Sequence, residues 1–303
     1  MTDVVIALDV GGTSIKCALV DTDGNIVAHS RVPTGRDRGP QAIVDTILAT
    51  ATDLATTPGH RPQAVGLVVP GVIDETDGIA VYASNLGWRD VPLRRLTEEA
   101  TGLPTALGHD VRAGGLAEAQ LGGGRGSRHL LFVAIGTGIA GAHIVNGTPD
   151  TGAHGSACEL GHVVVRPDGP RCGCGQRGCV ESIASAATFE RRYRDAAGVE
   201  RGAAEIIAAI DDDPVARRVW DETVDVLTDG LLIGVAMLDP DTIVIGGGLA
   251  EAGDRLIDPL VKGLQDRATF HRVPRLVRAE LGDTAGCVGA ALLGRQRARQ
   301  QPT

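Results

Sequence analysis

Between Glu159 and Ser182 the chain reads ELGHVVVRPDGPRCGCGQRGCVES, one His and three Cys set among glycines. Cys172, Cys174 and Cys179 alternate with Gly173, Gly175 and Gly178, and a glycine-rich backbone folds tightly enough to bring three sulfurs around one point. His162 precedes them and supplies a fourth donor. Three thiolates and an imidazole make a closed tetrahedral Zn²⁺ site, structural because no coordination position is left for water. The competing readings are a disulfide or a loop of free thiols. Six Cys in 303 residues, with no leading basic and apolar segment, point to a reducing cytoplasm in which clustered thiols hold metal, and against the disulfide. Cys17, Cys158 and Cys287 stand alone and read as small core residues.

Phosphate chemistry is suggested by three glycine turns, Gly11-Gly12-Thr13, Gly136-Thr137-Gly138 and Gly246-Gly247-Gly248, each after an apolar run. Without a Cβ in the way, backbone N–H groups can cradle phosphate oxygens. One such turn usually does no more than reverse the chain; three after buried strands argue for a shared ligand. None fits the Walker loop or the dinucleotide fingerprint. Asp9, just before the first turn, is placed to hold Mg²⁺ through water, or else to cap its own turn. Lys16 reads as a solvated strand residue rather than a phosphate ligand. Asp110 stands where a strand gives way to a helix, so it can take the proton of a substrate hydroxyl as a general base or cap the helix. Asn85, Glu159 and Glu181 are polar residues in loop or Gly-rich settings, suited to sugar hydroxyls.

These groups need strands and turns to position them. Val4 to Val10, Ile15 to Val20 and Ile26 to Val32 read as a three-strand meander, with Asp23-Gly24 turning the second strand into the third. A helix from Pro40 to about Thr56 and a buried strand from Ala64 to Val69 follow. After a strand end at Leu107 to Asp110 and a helix from Arg112 to Leu121, the opening pattern returns: strand Leu130 to Ile135, a Gly/Thr turn, strand Ile139 to Val145. This weak repeat predicts two related α/β halves facing each other across a ligand cleft. Helical patterns cover Ala184 to Ala197, Ala203 to Asp211, Asp213 to Met237 and Ala285 to Arg299, and Thr242 to Ile245 is a strand.

The totals exclude several classes. The longest apolar run, Leu231 to Leu238, is far short of the ~20 residues that span a bilayer, so no membrane role is expected. A net charge of −9 without a Lys/Arg cluster beside aromatics speaks against a nucleic-acid surface. With two Trp, two Tyr and three Phe, the core must be mainly aliphatic.

LDVGGTSIKCALVD, the spacing to Asp110, IGTGIAG, ELGH followed by CGCGQRGCVES, and IVIGGGL resemble the ROK family of bacterial sugar kinases and repressors, its glucokinases above all, from about residue 4 to 295. The Cys loop is the most specific part. The resemblance implies an actin-like, ribonuclease-H-like fold whose two domains close on ATP and hexose, usually in homodimers or homotetramers. It divides the chain into 1–112 with 287–303 and a larger 113–286 carrying the zinc loop. By that resemblance Gly11, Gly12, Thr13, Gly136, Thr137 and Gly138 hold phosphates, Gly246, Gly247 and Gly248 lie near the adenosine, and Asp110 is the base for the sugar 6-hydroxyl. Gly71, Asn85, His109, Asp110, Glu159, His162 and Glu181 line the sugar, with one His162 nitrogen on zinc and the other toward the ligand.

Where glucokinases of the family usually read Glu-Asn-Asp-Ala-Asn-Ala, this chain has Gly108-His109-Asp110-Val111-Arg112-Ala113. An imidazole replaces the amide beside the base, so the sugar near its 3- and 4-positions is read differently. Glucose, 3-amino-3-deoxyglucose and N-acetylated hexosamines are the competing substrates. Two other classes are weighed. A sugar-responsive transcription regulator of this family needs a winged helix-turn-helix ahead of the first turn, where only eight residues precede Asp9. A zinc hydrolase needs an open coordination position that four protein ligands do not leave.

Overall fold

In the computed structural model, which describes residues 1–300, Thr2–Val10 (β1), Ser14–Asp21 (β2) and Ile26–Pro33 (β3) form an antiparallel meander. Gly24 turns β2 into β3 at φ 91°, and Asp21 Oδ1 accepts the N–H groups of Asp23 and Asn25. Pro40–Ala55 (α1) leads to His60–Val69 (β4), then to three short strands, Val72–Asp74 (β5), Ile79–Ala83 (β6) and Trp88–Val91 (β7), which pair with one another. Leu93–Thr101 (α2), Thr105–His109 (β8) and Asp110–Leu121 (α3) complete this region. The next sheet begins with His129–Ile135 (β9), Ile139–Val145 (β10) and Thr148–Pro149 (β11). Val180–Ala184 (α4), Ala186–Ala197 (α5), Ala203–Ala208 (α6) and Pro214–Leu238 (α7) precede Thr242–Gly246 (β12). Asp254–Arg267 (α8), Arg275–Arg278 (β13) and Ala285–Gln300 (α9) end the described chain.

Two compact units result: 1–117 with 151–156 and 283–300, and 118–150 with 157–282. The sequence places the division near 112 and 287, whereas in the structure it falls inside α3 and just ahead of α9. Segment 151–156 joins the first unit, where the Gly155 carbonyl accepts from Arg112.

In the first unit the sheet order is β3-β2-β1-β4-β8, with β4 parallel to β1 and β8 parallel to β4. Strand alternation sends Val4, Ile6, Leu8 and Val10 into a core with Ile43 and Ile47 of α1 and Leu93 of α2. Val5 and Ala7 point the other way, toward Cys287, Ala290 and Ala291 of α9. That face is built from small residues, and a Cβ on Gly66 would overlap the Ala290 carbonyl, so α9 lies almost directly on the strand backbone.

The second unit repeats the order as β11-β10-β9-β12-β13, again an antiparallel meander followed by two parallel strands. Its core joins Leu131, Val133 and Ile135 of β9 to Leu227, Leu231 and Val235 of α7 and Leu256, Leu260 and Leu264 of α8. The helix expected from 184 begins at Val180 and breaks at Ser185, whose hydroxyl caps α5 by accepting the Thr188 N–H. Sheet β5-β6-β7, α2, α8 and β13 have no counterpart in the sequence expectations. The strands among them are three to five residues long, and α8 carries Pro259 inside it. Among the described residues no helix is long and apolar enough to cross a membrane.

Glu118 is fully buried on α3, and its carboxylate accepts three backbone N–H groups: Gly123 at 2.9 Å, Glu280 at 3.0 Å and Leu281 at 2.8 Å. A stranded buried donor costs about 1–3 kcal/mol. Glu118→Ala should therefore cost at least about 3 kcal/mol in urea unfolding. Glu118→Gln, which keeps one acceptor oxygen, should cost less. Equal stability of all three proteins would show that the carboxylate does not hold these loops.

Candidate functional site

In the first unit the parallel strands β1, β4 and β8 end along one edge, in the register Asp9 to Val68 and Val69 to His109. Ligands of open α/β sheets gather at such carboxyl ends. Asp9, the turn with Gly71, His109 and Asp110 are therefore neighbours. The first glycine turn closes the β1–β2 hairpin beside them, with the Gly11 N–H donating to the Ser14 carbonyl at 2.9 Å. Buried Thr34 braces it, its hydroxyl donating to the Gly11 carbonyl at 2.8 Å and its N–H to the Thr13 carbonyl at 3.0 Å. Asn85, between β6 and β7, holds its amide 3.9 Å from where a Cβ on Gly12 would lie.

Burial lifts the Asp9 carboxyl to about 6 against the pull of Lys16, whose ammonium lies 3.4 Å away directly across the hairpin. Lys16 is not a solvated residue: Asp283 Oδ1 holds it at 2.6 Å. A Cβ on Gly286, in the first turn of α9, would overlap Asp9 Oδ2, so only glycine allows that approach. Asp9 offers a single carboxylate, which suits Mg²⁺, an ion that keeps several waters.

Asp110 opens α3, and its Oδ1 accepts the Val111 N–H at 2.7 Å. Burial raises its carboxyl above the usual Asp range, opposed by that bond and by the charge of Arg112. His109 is buried with Nδ1 3.5 Å from Asp110 Oδ1. Arg112, 4% exposed, donates through Nε and Nη2 to Glu75 Oε1 at 3.0 and 2.8 Å and through Nη1 to the Gly155 carbonyl at 3.0 Å. Thr34, Glu75, Arg112, Asp283 and Gly286 are the residues of this region that the sequence reading did not single out as site residues. Their partners lie from 21 positions away, Thr13 for Thr34, to 277 away, Asp9 for Gly286, beyond the reach of any local motif.

In the second unit the turns Gly136-Thr137-Gly138 and Gly246-Gly247-Gly248 leave the adjacent ends of parallel β9 and β12. Gly247 takes φ 81° and packs against Ile135 without room for a side chain. Glu159 is exposed at the entrance of a short 3-10 turn, Leu160–His162, and its carbonyl accepts the His162 N–H at 3.0 Å. Glu181 lies on α4 with Oε2 accepting the Ile139 N–H at 2.8 Å.

His162, Cys172, Cys174 and Cys179 place one donor atom each within 4.8 Å of every other. His162 Nδ1 is 3.6 Å from Cys172 Sγ, and Cys174 Sγ is 3.7 Å from Cys179 Sγ. Tetrahedral zinc with Zn–S near 2.3 Å puts its ligand atoms about 3.6–3.8 Å apart, so the set fits this ion. Burial, with the neighbouring thiols adding to it, pushes Cys179 up to about 12; a bound divalent cation reverses that balance by demanding thiolates.

The sequence profile of the ROK family matches residues 5–297. The glucokinase of Streptomyces coelicolor is 34% identical over 312 residues, covering 96% of this chain and 97% of that protein. Two solved structures are similar throughout. A ROK hexokinase from Thermus thermophilus aligns with TM-score 0.84 and 33% identity over 98% of this chain and 100% of its own. A ROK family glucokinase from Streptomyces griseus in complex with glucose and AMPPNP aligns with TM-score 0.84 and 31% identity over 97% and 99%.

The geometry of the His/Cys set predicts about one zinc per chain in protein purified without chelator, by elemental analysis. Cys174→Ser should lose it. Full zinc content in that variant would remove Cys174 from the ligand set.

Proposed function

This chain belongs to the ROK family, and from that premise we propose that it transfers the terminal phosphoryl group of ATP to the 6-hydroxyl of a hexose. The observation that carries the reading is Asp110, a carboxylate at a parallel-strand edge, raised by burial and set beside the first glycine turn. Transfer of this kind asks the protein for positioning, charge stabilisation and one base. Asp110 takes the hydroxyl proton as the oxygen attacks. Gly11 to Thr13 and Gly136 to Gly138 cradle the phosphates: the Gly11 and Gly136 N–H groups close the two turns, and those of Gly12, Thr13, Thr137 and Gly138 are assigned to phosphate oxygens, while Gly246 to Gly248 lie toward the adenosine. Asp9 would hold Mg²⁺ through water, and that ion would neutralise phosphate charge.

Gly71, Asn85, His109, Glu159, His162 and Glu181 are assigned to the sugar. His162 offers Nδ1 to the zinc set, which fixes its tautomer and directs Nε2 to a hydroxyl. Zinc here is structural and supplies no step of the reaction. His109, standing where a glucokinase Asn would hydrogen-bond the ring, makes the substrate glucose or a glucose-like sugar changed near its 3-position, such as 3-amino-3-deoxyglucose. The thiol-rich loop suits a reducing cytoplasm, and the family resemblance favours a homodimer or homotetramer.

Asp110→Asn should fold and keep its zinc while losing at least ~10²-fold in kcat. Because the raised carboxyl must be ionised to act, kcat/KM of the parent enzyme should fall on the acid side at a pH above the ordinary Asp range, as protonation removes the base. Both are read by coupled ADP release with ATP-Mg²⁺ across glucose, 3-amino-3-deoxyglucose, glucosamine, mannose and N-acetylated hexosamines. Unchanged turnover of the Asn variant would remove Asp110 from the chemistry.

A further inference from the structure

The zinc set is joined to the second glycine turn on both of its flanks. On the side before the cluster, the Gly141 N–H donates to the Cys158 carbonyl at 3.2 Å, and Gly161 packs so closely on the Ile139 carbonyl that a Cβ there would overlap it. After the cluster, Val164 bridges Cys179, and the Val180 N–H donates to the Val163 carbonyl at 3.0 Å, which ties the two flanks together. Two residues past the last sulfur, Glu181 Oε2 accepts the Ile139 N–H at 2.8 Å. The Ala186 N–H then donates to the Gly136 carbonyl at 2.8 Å. The turn is therefore gripped at its first residue and at its exit by a segment whose own path is fixed by Cys179.

Gly138 shows how close that grip is. A Cβ built there would lie 2.6 Å from Glu181 Oε2, nearer than real Cβ contacts allow. The carboxylate thus fills the space that a side chain at 138 would occupy. Its two oxygens have separable tasks: Oε2 is committed to the turn, and Oε1 remains for a ligand hydroxyl. A carboxylate bonded to a backbone N–H makes a stronger, more directional tie than a neutral acceptor.

We propose that Glu181 is a positioning residue for the donor-phosphate turn as well as a sugar ligand, so that the zinc-anchored segment sets the geometry of Gly136 to Gly138 through the Glu181–Ile139 bond. This rests on reading that turn as a phosphate site. A residue that only bound sugar would, when removed, weaken the sugar and leave nucleotide binding without sugar untouched. A positioning residue changes nucleotide affinity even with no sugar present.

The test uses the zinc-loaded, full-length protein and AMPPNP with Mg²⁺ as the probe. In Glu181→Ala, amide hydrogen exchange at Ile139 should speed up at least ~10-fold and the AMPPNP Kd without sugar should rise at least ~5-fold, at unchanged zinc content. Glu181→Gln, which keeps an acceptor for Ile139, should restore both toward the parent values. Gly138→Ala, which keeps Glu181 but whose Cβ displaces the carboxylate from Ile139, should reproduce the faster Ile139 exchange, and that readout serves if Glu181→Ala does not fold. Unchanged Ile139 exchange in the Ala variants, or unchanged AMPPNP affinity in Glu181→Ala, would overturn the proposal. Failure of the parent protein to bind AMPPNP at all would instead overturn the kinase reading, while the exchange measurement would still report on the bond.

Discussion

The second unit depends on bringing three sulfurs and one imidazole nitrogen to a common point. Burial first, and the neighbouring thiols after it, raise Cys179, while the Gln176 N–H lowers Cys174. A divalent cation would favour thiolates at all three positions, because its charge offsets theirs. The loop has no helix or strand of its own; an isolated bridge between Arg171 and Arg177 and backbone bonds such as Cys172 N–H to the Gln176 carbonyl, at 2.8 Å, hold its path. On the reading proposed above, coordination would add to these few bonds the constraint that a helix or strand supplies elsewhere. His162 on one side, and Glu181 with the start of α4 on the other, adjoin the cluster directly.

The first unit solves its positioning problem differently, with adjacent parallel strand ends and a ring of charges. Asp9 and Lys16 face each other across one hairpin, Asp283 holds Lys16 from the end of the chain, and Arg112 is neutralised by Glu75. These pairings offset part of the cost of enclosing the charges. The imbalance falls on the two carboxylates that burial raises, Asp9 and Asp110, and these are the groups assigned to metal and proton. Acids perturbed in this way concentrate at functional sites.

Much of this was legible in the residues. The glycine turns, the hairpins around them and the His/Cys loop announce themselves because their chemistry is local: a few consecutive residues carry the whole signal. The repeat of a Gly/Thr hairpin also pointed to two related halves, which the shared strand order extends to both sheets. Lys16 was misread as solvated because its partner Asp283 is 267 positions away, and Arg112 gave no sign of its bond to Glu75. The short strands β5 to β7 could not show a period in three to five residues. Glu181 was legible as a polar residue near the cluster, but its bond to Ile139 depends on how α4 approaches the hairpin, which no spacing encodes.

The seating of α9 bears on how the chain is made. One face of the first sheet, with Val5, Ala7, Ala18 and Ala64, is covered by a helix that begins at Ala285. A chain emerging from the ribosome N-terminus first exposes β1 to β4 long before their cover exists. The second unit, whose described elements all precede that helix, can collapse while synthesis is still under way. The opening strands must wait, with an apolar face unsealed, for α9 to arrive. The strand side chains buried on that face are alanines and valines, Ala7, Ala18 and Ala64 beside Val5, Val20 and Val68, so the unsealed surface exposes less apolar area than one of leucine and phenylalanine would.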